Sequence, residues 1–207
     1  MKLVGMLDSP YVRRVAVSLH MLNLAFEHSS LSVFSEFEPF KAINPIVKAP
    51  TLVTDDGVML MDSSLILDYA ERLAAPRHSL MPTDLETCAR VQSLTGIALA
   101  ACEKTVQIVY EYNLRPAEKR HQPWLDRVRG QLVTALGLMD QAAQNADPWL
   151  FGKTMFQADI TAAAAFRFTC HRVADQIEAS AYPALAALCQ RAEATKAFLA
   201  FPYPGED

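Results

Sequence analysis

The chain has 207 residues, 51 % of them apolar and 20 % charged, a globular composition that excludes a disordered or fibrous protein. Its length permits one large domain or two small ones. Lys and Arg total 19 against 23 Asp and Glu, and a cut at residue 80 leaves 7 basic and 9 acidic residues before it and 12 and 14 after, so neither part has the basic excess that grips nucleic acid.

Residues 2–7 are an apolar run suited to a buried strand. As a secretory signal the run is too short, because Asp8 and then Arg13 and Arg14 interrupt it, and no later run approaches the roughly 18 apolar residues of a membrane span. Ser9 followed by Pro10 supplies an N-cap and a proline at the first helical position, which predicts a helix starting there and ending near Asn23. Its apolar stripe is Val12, Val15, Ala16, Leu19 and Leu22, with Arg13, Arg14, Ser18 and His20 away from it. A second strand is expected over 26–33, and the segment 36–40, which has no clear period, reads as a loop.

Residues 51–54 and 58–61 read as two strands joined by a turn, Asp56-Gly57 supplying the positive-φ positions of a tight hairpin. Asp62-Ser63-Ser64 then caps a helix whose apolar face is Leu65, Ile66, Tyr69, Ala70 and Leu73. This alternation of strand and helix implies a compact α/β sheet. Beyond Pro82 everything reads as helix, over 85–112, 124–145, 158–174 and 182–192 with a short one near 195–200, separated by Arg115-Pro116, Gln122-Pro123 and Asp147-Pro148. The composition shift marks a domain boundary, giving an α/β domain over 1–77 and an all-helical one over 84–207. Cys88, Cys102, Cys170 and Cys189 all fall in the second part without metal-ligand spacing, so no disulfide framework or metal site is expected, and free thiols suit a reducing cytoplasm.

Four segments in register carry a family likeness: Ser9-Pro10-Tyr11-Val12-Arg13, then 44–52 ending in Lys48-Ala49-Pro50-Thr51-Leu52, then Asp62-Ser63, and Gly152 followed by Ala158-Asp159-Ile160. With these the chain resembles the glutathione transferases, in which a thioredoxin-like α/β domain precedes an all-α helical bundle. The resemblance implies glutathione as co-substrate, and Ser9 as a hydroxyl that stabilises its thiolate with help from the backbone N–H near Val12. A free thiol ionises near pH 8.5, so an anion-stabilising helix terminus raises the reactive fraction at neutral pH. As a residue type, a serine before a helix is equally an N-cap. A cysteine at position 9 would point instead to mixed-disulfide chemistry, and position 9 holds none.

The resemblance also implies a cis Pro50 that presents the Ala49 N–H and C=O to the cysteinyl unit, with Lys48 on the glycyl carboxylate. Ser63 is expected on the γ-glutamyl carboxylate at a helix start, and Asp62 on the neighbouring ammonium. The electrophile pocket is expected beside Ser9, between the domains, with Tyr11, Tyr110, Tyr112, Trp124 and Phe166 as candidate walls. Cys170 and His171 are not read as a nucleophilic dyad, histidine on an alanine-rich helix being more often hydrogen-bonded core. Two features depart from the family pattern. Phe156 stands where many relatives cap the Asp159 helix with Ser or Thr, leaving Thr154 or the backbone to cap it, and the loop after the second strand carries Glu36 and Glu38 where a lysine is frequent, which lowers the expected glutathione affinity. The resemblance implies a transferase acting on a small electrophile as a cytoplasmic homodimer, without nucleic-acid or membrane partners. The alternative is a catalytically silent module of the same fold that binds a protein or an apolar ligand.

Overall fold

The computed structural model describes residues 1–205, and the chain separates into two compact units. Residues 1–80 form the first together with those from Thr195 onward, and Met81–Ala194 form the second. From Thr195 onward the chain packs with the α/β unit although its composition matches the helices before it.

In the first unit β1 (Lys2–Val4), β2 (Glu27–Ser29), β3 (Thr51–Val53) and β4 (Met59–Met61) make a mixed sheet in the order β2-β1-β3-β4. β1 runs parallel to β2 and antiparallel to β3, with Leu3 opposite His28 on one side and Leu52 on the other. The hairpin forms as predicted, but of its turn residues only Gly57 has positive φ, and the Thr54 hydroxyl takes the Val58 N–H at 3.0 Å. The second strand is shorter than the expected 26–33.

Helix α1 (Pro10–Met21) is buried nearly all round, including Arg13, Arg14 and Ser18, which the apolar period assigns to the outer face. Periodicity follows apolar residues only, and these polar groups are buried because each has a bonding role. Segment 36–40 is not a loop: α2 (Phe37–Ile43) begins inside it. The Glu36 carboxylate accepts the Ser32 N–H at 2.9 Å, Pro39 occupies the first turn where its missing N–H costs nothing, and fully buried Phe40 anchors the helix. In α3 (Ser63–Ala74) the buried stripe is Ile66, Leu67, Ala70 and Ala74, while Leu65 and Leu73, expected inside, are exposed. Positions 66, 70 and 74 lie four apart on one face, and the two leucines point off it.

The second unit packs α4 (Leu85–Asn113), α5 (Gln122–Ala143), α6 (Gln157–Arg172) and α7 (Pro183–Glu193), and the short α8 (Lys196–Ala200) belongs with the first. α6 is buried on every side along Ala162–Ala165, small side chains that let neighbouring helices approach closely. Inside the bundle the Thr105 and Thr169 hydroxyls meet at 2.8 Å, and the Asp140 carboxylate accepts the Leu185 N–H at the start of α7 at 2.9 Å. Asp159 is fully buried: one oxygen accepts the Leu150 N–H at 2.8 Å and the other the Phe156 N–H at 2.9 Å. The helix start that Phe156 leaves without a side-chain cap is thus closed by the aspartate, and exposed Thr154 makes no cap. Burial pushes the Asp159 carboxyl above the usual aspartate range, against the opposing pull of those N–H groups.

Candidate functional site

Three backbone features converge in the first unit: the start of α1, the loop before β3 and the start of α3. Ser9 caps α1, its Oγ accepting the Val12 N–H at 3.4 Å. An oxygen that accepts there keeps its own proton for donation outward. That contact is long, so the same N–H is weakly held.

Gly5, at the end of β1, allows the first two features to meet. Its φ is 137°, and a Cβ there would stand 2.6 Å from Val12 Cγ2 and 3.0 Å from Ala49 Cβ. Only a residue without a side chain lets α1 and the Ala49 loop close over the strand. Sequence reasoning missed it because a single glycine at a strand end carries no period.

The Ala49–Pro50 peptide is cis, as the family likeness implies. Asn44, fully buried, holds the preceding loop from inside: Nδ2 donates to Thr51 Oγ1 at 2.8 Å and Oδ1 accepts the Ile46 N–H at 2.9 Å. Thr51 Oγ1 in turn donates to the Lys48 carbonyl at 2.8 Å. These bonds retain Val47 at φ 54°, a conformation a β-branched residue adopts only under constraint. Lys48 is exposed, Ala49 half-buried and Pro50 buried.

At the third feature Asp62 has φ 72° and caps α3, its Oδ1 accepting the Ser64 N–H at 2.8 Å. Asp62 is exposed, whereas Ser63 is 5 % exposed. Behind them Arg14, 2 % exposed, donates from Nη1 to Ser63 Oγ at 3.1 Å and Ser64 Oγ at 3.3 Å. A guanidinium therefore stands under the positive end of a helix, which concentrates anion-attracting potential at Ser63. Arg14 is the main residue the sequence reading left out, since a basic residue off the apolar stripe reads as solvated.

A family model described as the N-terminal domain of glutathione S-transferase matches residues 3–78. A solved glutathione transferase family member from Pseudomonas fluorescens Pf-5, with bound S-(propanoic acid)-glutathione, is 30 % identical and aligns over 99 % of this chain and 100 % of that one, with a TM-score of 0.79. The chain belongs to the glutathione transferase family. A glutathione S-transferase from Methylobacterium radiotolerans, in complex with glutathione sulfonate, is 26 % identical over 98 % of this chain and 94 % of that one, with a TM-score of 0.89. The uncharacterised GST-like protein YibF of Escherichia coli K12 is 29 % identical over 141 residues, 68 % of each chain.

The remaining candidates of this glutathione transferase family member are distributed as follows. Tyr11 is half-buried in the first turn of α1. In the helical unit Tyr110 and Trp124 are exposed and Tyr112 is half-buried under the Arg120 guanidinium, 4.8 Å from its ring. Phe166 is only 5 % exposed and packs edge-on to Tyr182 at 6.4 Å, a core position with little surface for a ligand. His171 is exposed rather than buried, because it lies in the last turn of α6. Burial pushes the half-buried Cys170 thiol up, which leaves it protonated and a poor nucleophile. Among the described residues no cluster of His, Cys, Asp and Glu could hold a metal ion, and no helix is long and apolar enough to cross a membrane.

Proposed function

We propose that the protein is a glutathione transferase of the serine type, which activates the glutathione thiol at Ser9 for attack on a small electrophilic carbon. The observation that carries this reading is the buried Arg14 bonded to Ser63, joining the helix that bears the Ser9 hydroxyl to the helix start suited to an α-carboxylate. Glutathione is a zwitterion with a carboxylate at each end and a thiol between. In this reading its γ-glutamyl carboxylate meets the Ser63 N–H above Arg14 and its ammonium meets Asp62. The cysteinyl backbone pairs with the Ala49 N–H and C=O, the glycyl carboxylate meets Lys48, and Pro50 directs the strand-like contact.

The sulfur then lies at the start of α1. The Ser9 O–H donates to it, the helix terminus adds positive potential, and the Val12 N–H can turn from its long bond with Ser9 toward the anion. Ser9 remains uncharged and forms no covalent bond. The sulfur lone pair makes the C–S bond as the electrophile's π pair moves onto its activating group or, at a halogenated carbon, as halide departs with its bonding pair, and the thiol proton leaves to solvent. Conjugation, dehalogenation and double-bond isomerisation all begin with this step. We place the enzyme in the cytoplasm as a two-fold homodimer, which sedimentation measures directly. The acidic loop argues mildly for the silent-module alternative, but its Glu36 carboxylate is already occupied by the Ser32 N–H.

Calorimetric titration with glutathione tests the reading: binding heat is expected, and neither heat nor thermal shift at millimolar ligand overturns it. In Ser9→Ala the thiol pKa of bound glutathione should rise, with about 1 kcal/mol of stability lost with the cap. An unmoved thiol pKa would assign the activation to the helix terminus instead.

A further inference from the structure

We propose that the C-terminal segment is part of the thiol site at one remove, because it holds Arg13 as a positioning residue for the first turn of α1. The inference rests on the glutathione reading above. Arg13 is four residues from the capping serine, and its backbone N–H donates to the Ser9 carbonyl at 2.9 Å, the first bond of the helix. Its side chain is 1 % exposed and runs to the far end of the chain. Nε donates to the Phe201 carbonyl at 2.9 Å, across 188 residues of sequence, while the guanidinium lies 5.1 Å from the Phe198 ring and 5.9 Å from that of Tyr203. Phe201 also stacks on Phe26 at 5.5 Å and meets His20 edge-on at 5.8 Å, fastening the segment beside β2 and the end of α1.

An apolar side chain of similar length would fill the space among the rings without the desolvation cost of a buried cation, but it would leave the Phe201 carbonyl without the donor that aims the side chain. What the guanidinium adds is direction. A planar donor fork fixed by a carbonyl and two rings sets the rotation and depth of the turn it hangs from, and that turn carries Ser9. The placement of the sulfur-facing hydroxyl is thereby tied to the docking of residues 195–203, and by linkage a ligand held at that hydroxyl favours the docked segment.

The test uses the full-length protein. In Arg13→Met the thiolate absorbance of bound glutathione at neutral pH should fall about threefold, the loss expected when a helix terminus no longer faces the sulfur correctly. Arg13→Lys, which keeps a cation for the Phe201 carbonyl and the rings, should restore most of that absorbance. A folded Arg13→Met with wild-type thiolate absorbance overturns the proposal. If that variant does not fold, amide exchange in the wild type decides: saturating glutathione should slow exchange at Phe198, Leu199 and Phe201, and unchanged rates overturn the proposal. Wild-type protein that shows no glutathione binding overturns the underlying reading and the proposal together, whereas binding with either negative result above overturns the proposal alone.

Discussion

At Gly5 a missing methyl group decides how closely α1 and the Ala49 loop approach each other. Substitution by alanine has to accommodate a Cβ 2.6 Å from Val12 Cγ2 at a φ of 137°, so both crowding and backbone strain act. Gly5→Ala should cost about 2 to 3 kcal/mol in chemical denaturation and weaken glutathione binding with it, since α1 and the Ala49 loop must part. Arg14 gives a sharper case, because its effect should depend on which ligand is offered. Arg14→Met should weaken glutathione about tenfold, the worth of a charge-assisted contact, and leave cysteinylglycine, which lacks the γ-glutamyl group, unaffected. Equal loss for both ligands in calorimetry would mean that Arg14 serves the fold only. The proposed site residues Ser9, Lys48, Ala49, Pro50, Asp62 and Ser63 can be picked out of the sequence because each stands in a short motif. Gly5, Asn44 and Arg14 cannot, because their roles consist of contacts with residues distant in sequence.

Among the elements, α6 and α4 depend on carboxylates with opposite behaviour. Asp159 accepts two buried backbone N–H groups at the start of α6, and Asp159→Ala leaves both unsatisfied, an expected loss of about 2 to 4 kcal/mol in denaturant midpoint experiments. Its carboxyl is raised by burial, so its contribution is fully present below the unfolded value and declines as pH rises through the folded one. Glu111, near the end of α4, goes the other way: the Arg115 guanidinium bonded at 2.8 Å, with the His121 N–H at 3.2 Å, holds it below the usual glutamate value of 4.5. Stability from Glu111 is present above that value and is lost as pH falls through the lower folded one. The melting-temperature gap between wild type and Glu111→Gln should therefore be widest near neutral pH and close in acid; a gap constant with pH would exclude the ion pair as its cause. Element prediction failed where local pattern was weak, as in α2, which forms because Phe40 is buried and Glu36 bonds Ser32.

For the whole molecule, ligand binding should register as stability. Glutathione at a hundred times its Kd should add about 2.7 kcal/mol and raise the melting temperature by roughly 5 to 10 °C for a chain of this length, read by scanning fluorimetry. Near residue 80 strand-forming residues stop and alanine-rich and leucine-rich helices begin, a local change of composition visible in the sequence. The hairpin and the helices α1 and α3 are legible there too, because they follow from local chemistry: apolar period, capping hydroxyls, proline and glycine. What tertiary structure alone decided is which distant groups meet. It brought the segment after Thr195 to the α/β unit, turned Arg13 toward Phe201 and Arg14 toward Ser63, and sent Leu65 and Leu73 to the surface. A buried charge is stable only where its donors find acceptors, and along this chain those acceptors lie 49 and 188 residues away, beyond the reach of any local pattern.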